Sequence, residues 1–142
     1  MRHAIFPAAF CLAAFLAGPV QARPLGPELE ARVVRVVDGD TIKVRLLGKM
    51  PKLFRSQLVR LRHCDTPELR DKRPEMAAKA REAKAFTAER IRPGMRLTLR
   101  DAGRDKYGGR LVADVEAGGE NLCEALMEAG LALPYEGGKK VW

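Results

Sequence analysis

Five short runs of β-forming residues, interrupted by two helical stretches in the order three strands, helix, two strands, helix, predict an α+β chain that is mainly β. The arrangement expected is a five-stranded OB-type Greek-key barrel with two or three flanking helices. Three observations carry this. Apolar and polar residues alternate at Ile42, Val44 and Leu46, at Val59 and Leu61, and at Leu111, Ala113 and Val115. Between the third and fourth runs the period turns helical, with Met76, Ala80, Ala83, Phe86 and Ile91. At 142 residues and 46% hydrophobic content, the chain suffices for one core and is short for two.

In chain order, residues 1–22 read as a secretory signal peptide. Arg2 and His3 precede an apolar run from Ala4 to Gly18 that is too short to span a bilayer, and the small residues Val20 and Ala22 suit cleavage after Ala22. The expected destination is periplasmic or secreted, with no membrane association after cleavage. Residues 23–28, rich in Pro and Gly, form a flexible lead-in, and residues 29–142 form the domain. Ala31 to Val37 begins a hairpin whose turn is Asp38-Gly39. After a loop from Gly48 to Arg55, a third strand runs from Gln57 to Cys64, with Arg60 and Arg62 facing away from the core and His63 facing inward by its parity with Val59 and Leu61. Pro74-Glu75 opens a helix that Pro93-Gly94 stops. Leu97 and Leu99 mark a fourth strand, Leu111 to Val115 a fifth, and Asn121 heads a second helix that ends at Gly130.

The formal charge of +8, about +7 once Arg2 leaves with the leader, favours a polyanionic partner. Charge alone leaves nucleic acid, anionic membrane and acidic glycans nearly equal. Cys64 and Cys123 are the cysteines left after cleavage. They allow one disulfide in an oxidising compartment, or Cys123 serves as a helix core residue, and they are too few for a zinc site.

The chemistry lies in three segments. Asp38 suits a turn former, but Asp40 and Asp65 sit at strand ends beside loops, where carboxylates can converge on a hard cation with a backbone carbonyl such as that of Thr66. Arg60 leads into Asp65-Thr66-Pro67-Glu68, and its planar fork matches phosphate oxygens. Asp105-Lys106-Tyr107-Gly108-Gly109-Arg110 brings a cation, an aromatic and another arginine to the start of the fifth strand. Together these supply a cation site, guanidinium groups and a carboxylate near an attacking water, which is what phosphodiester hydrolysis requires.

Across Ala31 to Tyr135 the sequence resembles the staphylococcal nuclease (thermonuclease) family. Val37-Asp38-Gly39-Asp40-Thr41, Arg60 with Asp65-Thr66-Pro67-Glu68, Asp105-Lys106-Tyr107-Gly108, and Glu124-Ala125-Leu126 through Gly130-Leu131-Ala132 occur in the family's order and spacing. The resemblance implies a barrel with Ca²⁺ held by Asp40, Asp65 and the carbonyl of Thr66, and Glu68 as general base. It implies Arg60 and Arg110 at the phosphate, and Lys106 and Tyr107 on a terminal phosphate, with Tyr135 as an added aromatic contact. The implied substrates are DNA and RNA, single-stranded or locally open, cut to leave 3′-phosphate ends by a monomeric endonuclease.

One position departs from the family pattern. An arginine usually follows Tyr-Gly directly, whereas here Gly109 intervenes. Read without a gap, Arg110 and Asp114 would take core-facing parity, at a cost of several kcal/mol if both were buried unpaired. Read as a glycine insertion, Leu111, Ala113 and Val115 face the core and Arg110 faces the site. The competing function is a catalytically inactive OB-type module that binds nucleic acid, which would require part of this acid and arginine set to be missing.

Overall fold

A computed structural model describes Gly26, residues 28–140 and Trp142. The expected signal peptide lies outside the described residues. Among these, no helix is long and apolar enough to cross a membrane.

The strands are β1 (Glu28–Asp38), β2 (Thr41–Leu46), β3 (Ser56–Leu61), β4 (Cys64–Asp65), β5 (Arg96–Arg104), β6 (Leu111–Ala117), β7 (Glu120–Asn121) and β8 (Leu133–Pro134). The helices are α1 (Lys52–Arg55), α2 (Pro74–Arg90) and α3 (Leu122–Glu128). In the main sheet the strands run β3-β2-β1-β5-β6-β7, and a parallel pairing of β3 with β6 joins the ends of the first five into a closed barrel. This is the predicted five-stranded OB-type barrel.

Alternation fills the barrel as expected. Leu111, Ala113, Val115 and Ala117 point inward on β6 against Ile42, Val44, Val59, Leu61, Leu97 and Leu99. The parity therefore agrees with an inserted glycine ahead of β6. The helix α2 covers one end through Ala80, Ala83 and Thr87, while Phe86 is only partly buried, under the Arg90 guanidinium at 3.5 Å from its ring. Asn121 caps α3 by accepting the N–H groups of Cys123 and Glu124, and Gly130 leaves the helix at φ 69°.

The structure corrects several local expectations. The β1–β2 register pairs Asp38 with Thr41, so the two-residue turn is Gly39-Asp40 and not Asp38-Gly39. The segment expected as loop before β3 contains the short α1. The third strand stops at Leu61, because His63 takes φ 65° and breaks the alternation. That reversal turns His63 outward, against the inward placement expected from parity, and sends Cys64 into the core. Exposed, His63 pairs with Glu136 at 2.7 Å. Cys64 and Cys123 are both buried free thiols; their mutual contact and their burial push the Cys64 thiol far above its ordinary range.

Candidate functional site

The β1–β2 turn and the β3–β4 junction meet at one end of the barrel, and the reason is steric. A Cβ on Gly39 would stand 2.8 Å from the Ala83 Cβ and 3.0 Å from the Thr66 side chain. Only glycine lets the turn settle between α2 and Thr66, and Thr87 fixes it by donating its hydroxyl to the Gly39 carbonyl at 2.8 Å. The next residue, Asp40, is thereby driven inward and is 3% exposed.

Asp40 is held from three sides. Its Oδ1 accepts the Thr41 hydroxyl at 2.9 Å, its Oδ2 accepts the Thr66 N–H at 3.1 Å, and the Arg60 guanidinium lies 3.2 Å from Oδ2. Arg60 comes from β3, where Thr41 is its cross-strand partner, so the sheet register sets it over the acids. The same Nη2 donates to Asp65 Oδ1. Burial opposes the Arg60 charge, but Asp40 and Asp65 outweigh it and raise the guanidinium above its ordinary range.

Asp65 is 2% exposed, and its second oxygen, Oδ2, is buried without a hydrogen-bond partner. An orphaned carboxylate oxygen in such a place is costly unless something cationic reaches it. Thr66, also 2% exposed, has an unpartnered hydroxyl beside it in the chain. This donor set of two carboxylates and neighbouring backbone oxygen suits a hard divalent cation, which takes oxygen ligands and completes its shell with water or phosphate. Among the described residues no group of three or more His, Cys, Asp or Glu side chains converges to hold a metal alone.

Glu68 follows on the rim and is exposed, with Lys140 Nζ 2.7 Å from its Oε1. That bond and the lysine charge hold the Glu68 carboxyl below its ordinary range. Lys140 also lies 3.3 Å from Asp65 Oδ1. The C-terminal segment is anchored by the Trp142 indole, which donates to the Asp65 carbonyl at 2.8 Å and stacks under Lys79 at 5.0 Å.

The segment from Asp105 to Arg110 forms the opposite wall. Asp105 accepts from the Gly109 N–H and from Arg110 Nε, each at 3.0 Å, which aims the arginine along the wall. Arg110 therefore faces the same cleft as Asp40, Arg60 and Glu68, although its guanidinium touches Asp105 and not the two site acids. Lys106 and Tyr107 project into solvent at the mouth, Tyr107 being 79% exposed. Tyr135 lies against Arg60, ring centre to guanidinium 5.6 Å.

Every site residue expected from sequence except Asp65 thus lines one cleft, and Asp65 is buried against Arg60. The cleft has a volume of about 1190 Å³, above the roughly 300–1,000 Å³ of ordinary small-molecule pockets. Sequence reasoning missed Lys140 and Trp142, since a lysine and a terminal tryptophan in a basic chain give no signal of where a tail folds. It also gave Asp105 no task, although Asp105 opens a quoted motif.

The model of the family described as staphylococcal nuclease homologue matches residues 58–140, more than half of the chain. The chain belongs to the staphylococcal nuclease family. The matched span of this staphylococcal nuclease homologue contains Arg60, Asp65, Glu68 and Arg110, while Asp40 precedes it. Two Bacillus subtilis (strain 168) proteins are similar, endonuclease YncB and SPbeta prophage-derived endonuclease YokF. Each is 36% identical over 100 residues, or 69% of this chain. The chain spans 44% of the first relative and 31% of the second, less than half of either.

Proposed function

We propose that the chain is an exported, Ca²⁺-dependent endonuclease that hydrolyses phosphodiester bonds of DNA and RNA and leaves 3′-phosphate ends. The observation that carries this is the pair of buried carboxylates, Asp40 and Asp65, bridged by Arg60 at the floor of a cleft, with one Asp65 oxygen unpartnered. Family membership and the names of the two similar endonucleases support it.

Asp40, Asp65 and the backbone of Thr66 would hold the cation. When bound, it supplies positive charge against the phosphate oxygens. Glu68, on the rim and ionised, accepts the proton of a water as the water oxygen attacks phosphorus. Arg60 and Arg110 offset the charge that grows on the phosphate oxygens while the bond to the 5′ oxygen breaks and that oxygen, leaving with the electron pair, takes a proton from water. Lys106, Tyr107 and Tyr135 line the cleft where flanking phosphates and bases would lie, and the substrate proposed is a single strand or a locally opened duplex. The protein acts as a monomer in the periplasm or outside the cell.

Incubating the purified chain without residues 1–22 with plasmid DNA tests this. Cleavage with Ca²⁺, its loss in excess chelator, and ends that block ligation until a phosphatase removes the 3′-phosphate and a kinase phosphorylates the 5′-hydroxyl are expected. Glu68→Ala should lower turnover by roughly two or more orders of magnitude. Retention of full cleavage in chelator would end the proposal, and binding of oligonucleotide without cleavage under any cation would leave the non-catalytic module in its place.

A further inference from the structure

Outside the cleft, the outer face of β1 and β2 carries an arrangement that costs the fold stability. On adjacent antiparallel strands, Arg96, Arg32 and Arg45 stand directly opposite one another across β5, β1 and β2. In the next row Arg35 stands opposite Lys43. Like charges facing each other across a sheet are destabilising. Little relieves them: Arg96 reaches Glu30 only at 3.4 Å with both side chains more than half exposed, and Arg32 donates to the Gly94 carbonyl. Among the described residues, Arg35, Lys43 and Arg45 form no ion pair.

The register also joins this stripe to the site. Thr41, Lys43 and Arg45 alternate onto the outer face of β2, and Thr41 is the cross-strand partner of Arg60. From the Arg60 row, the cationic rows follow at about 6.6 Å intervals, two residues of strand rise each. That step is comparable to the spacing of successive phosphates in an extended single strand.

We infer that the outer face of the β1–β2 hairpin is a second phosphate track, which binds a single strand of nucleic acid where it leaves the cleft. This rests on the proposed reading of the cleft as a nucleic-acid site. Charge complementarity and continuity with Arg60 single out this occupant. The cross-strand repulsion is then the structural cost of a surface whose counter-charges arrive with the ligand.

The test is fluorescence anisotropy in excess chelator, where nothing is cut, with labelled oligothymidylates of four and twenty nucleotides. The double variant Arg32→Thr/Arg45→Thr should weaken the twenty-mer about tenfold and flatten its dependence on log salt by about 1.4, two phosphates at 0.7 each. The four-mer, confined to the cleft, should bind unchanged. The variant should also unfold at a higher temperature than the parent, and Arg32→Lys/Arg45→Lys should keep twenty-mer binding. Equal twenty-mer affinity and salt slope in parent and Thr variant, with the four-mer still bound, would overturn the track alone. Failure of the parent in chelator, and of Glu68→Ala with Ca²⁺, to bind either oligonucleotide would overturn the cleft reading with it. Binding to phosphatidylserine vesicles that the Thr variant loses, with twenty-mer affinity unchanged, would give the face to membranes instead.

Discussion

The two walls of the cleft are built in opposite ways. On the hairpin side, Gly39, Asp40, Arg60, Asp65 and Thr66 are packed or bonded to one another, and Asp40 alone has three partners. On the β5–β6 side, the turn from Asp105 to Arg110 depends on a few bonds to Asp105, and a Cβ on Gly108 or Gly109 would meet nothing within 4 Å. The first wall couples chemistry to packing, so a change of side-chain volume there is felt by the fold as well as by the site. The second can lose a functional group, or accept an extra glycine, with the barrel unaffected.

The largest effect should come from the first wall. Asp40→Asn and Asp65→Asn should each abolish cation-dependent cleavage while circular dichroism shows a folded chain, because two carboxylates supply most of the charge for a cation. Calorimetric titration with Ca²⁺ should show binding lost in parallel, and an undiminished heat of binding would remove these acids from the metal role. Arg110→Ala should lower turnover on the order of a hundredfold, as loss of a transition-state contact does. Its stability should stay within about 0.5 kcal/mol. A large loss of stability would erase the contrast between the walls.

Glycine substitutions sharpen the comparison without touching a functional group. Gly39→Ala forces a methyl against Ala83 and Thr66, and denaturant titration should show about 1–3 kcal/mol of destabilisation. Gly109→Ala should lie within about 0.5 kcal/mol of the parent. The smallest effect belongs to the tail. Lys140 depresses the Glu68 pKa below its ordinary 4.5, so the pair stabilises the fold above that value and the contribution disappears as pH falls through the lowered pKa. With Glu68 largely exposed, Lys140→Met should cost only a few tenths of a kcal/mol at neutral pH, and less as the pH falls through the lowered Glu68 pKa. Unfolding midpoints of both proteins across that range check it.

The same contrast explains how much was legible in the sequence. The barrel could be read because β3 and β6 alternate strictly, and Asp40 and Asp65 because they sit at strand ends within motifs of fixed spacing. The parity of Leu111, Ala113 and Val115 was enough to place Arg110 on the cleft side despite the extra glycine. His63 was misread because one residue at φ 65° reverses all parity beyond it, and periodicity carries no sign of a left-handed residue. The tail contacts of Lys140 and Trp142 were invisible for another reason, since they depend on where a non-repetitive segment crosses the finished barrel.

The parallel seam between β3 and β6 has a consequence for the order of events in folding. It pairs Val59 with Leu111 and Arg60 with Val112, residues far apart in the chain, so closing it carries a larger loop entropy than the local β1–β2 and β5–β6 pairings. Before closure Arg60 and Arg110 belong to separate hairpins. Closing the seam therefore brings the Arg60 wall and the Arg110 wall of the cleft together in the same step that seals the barrel.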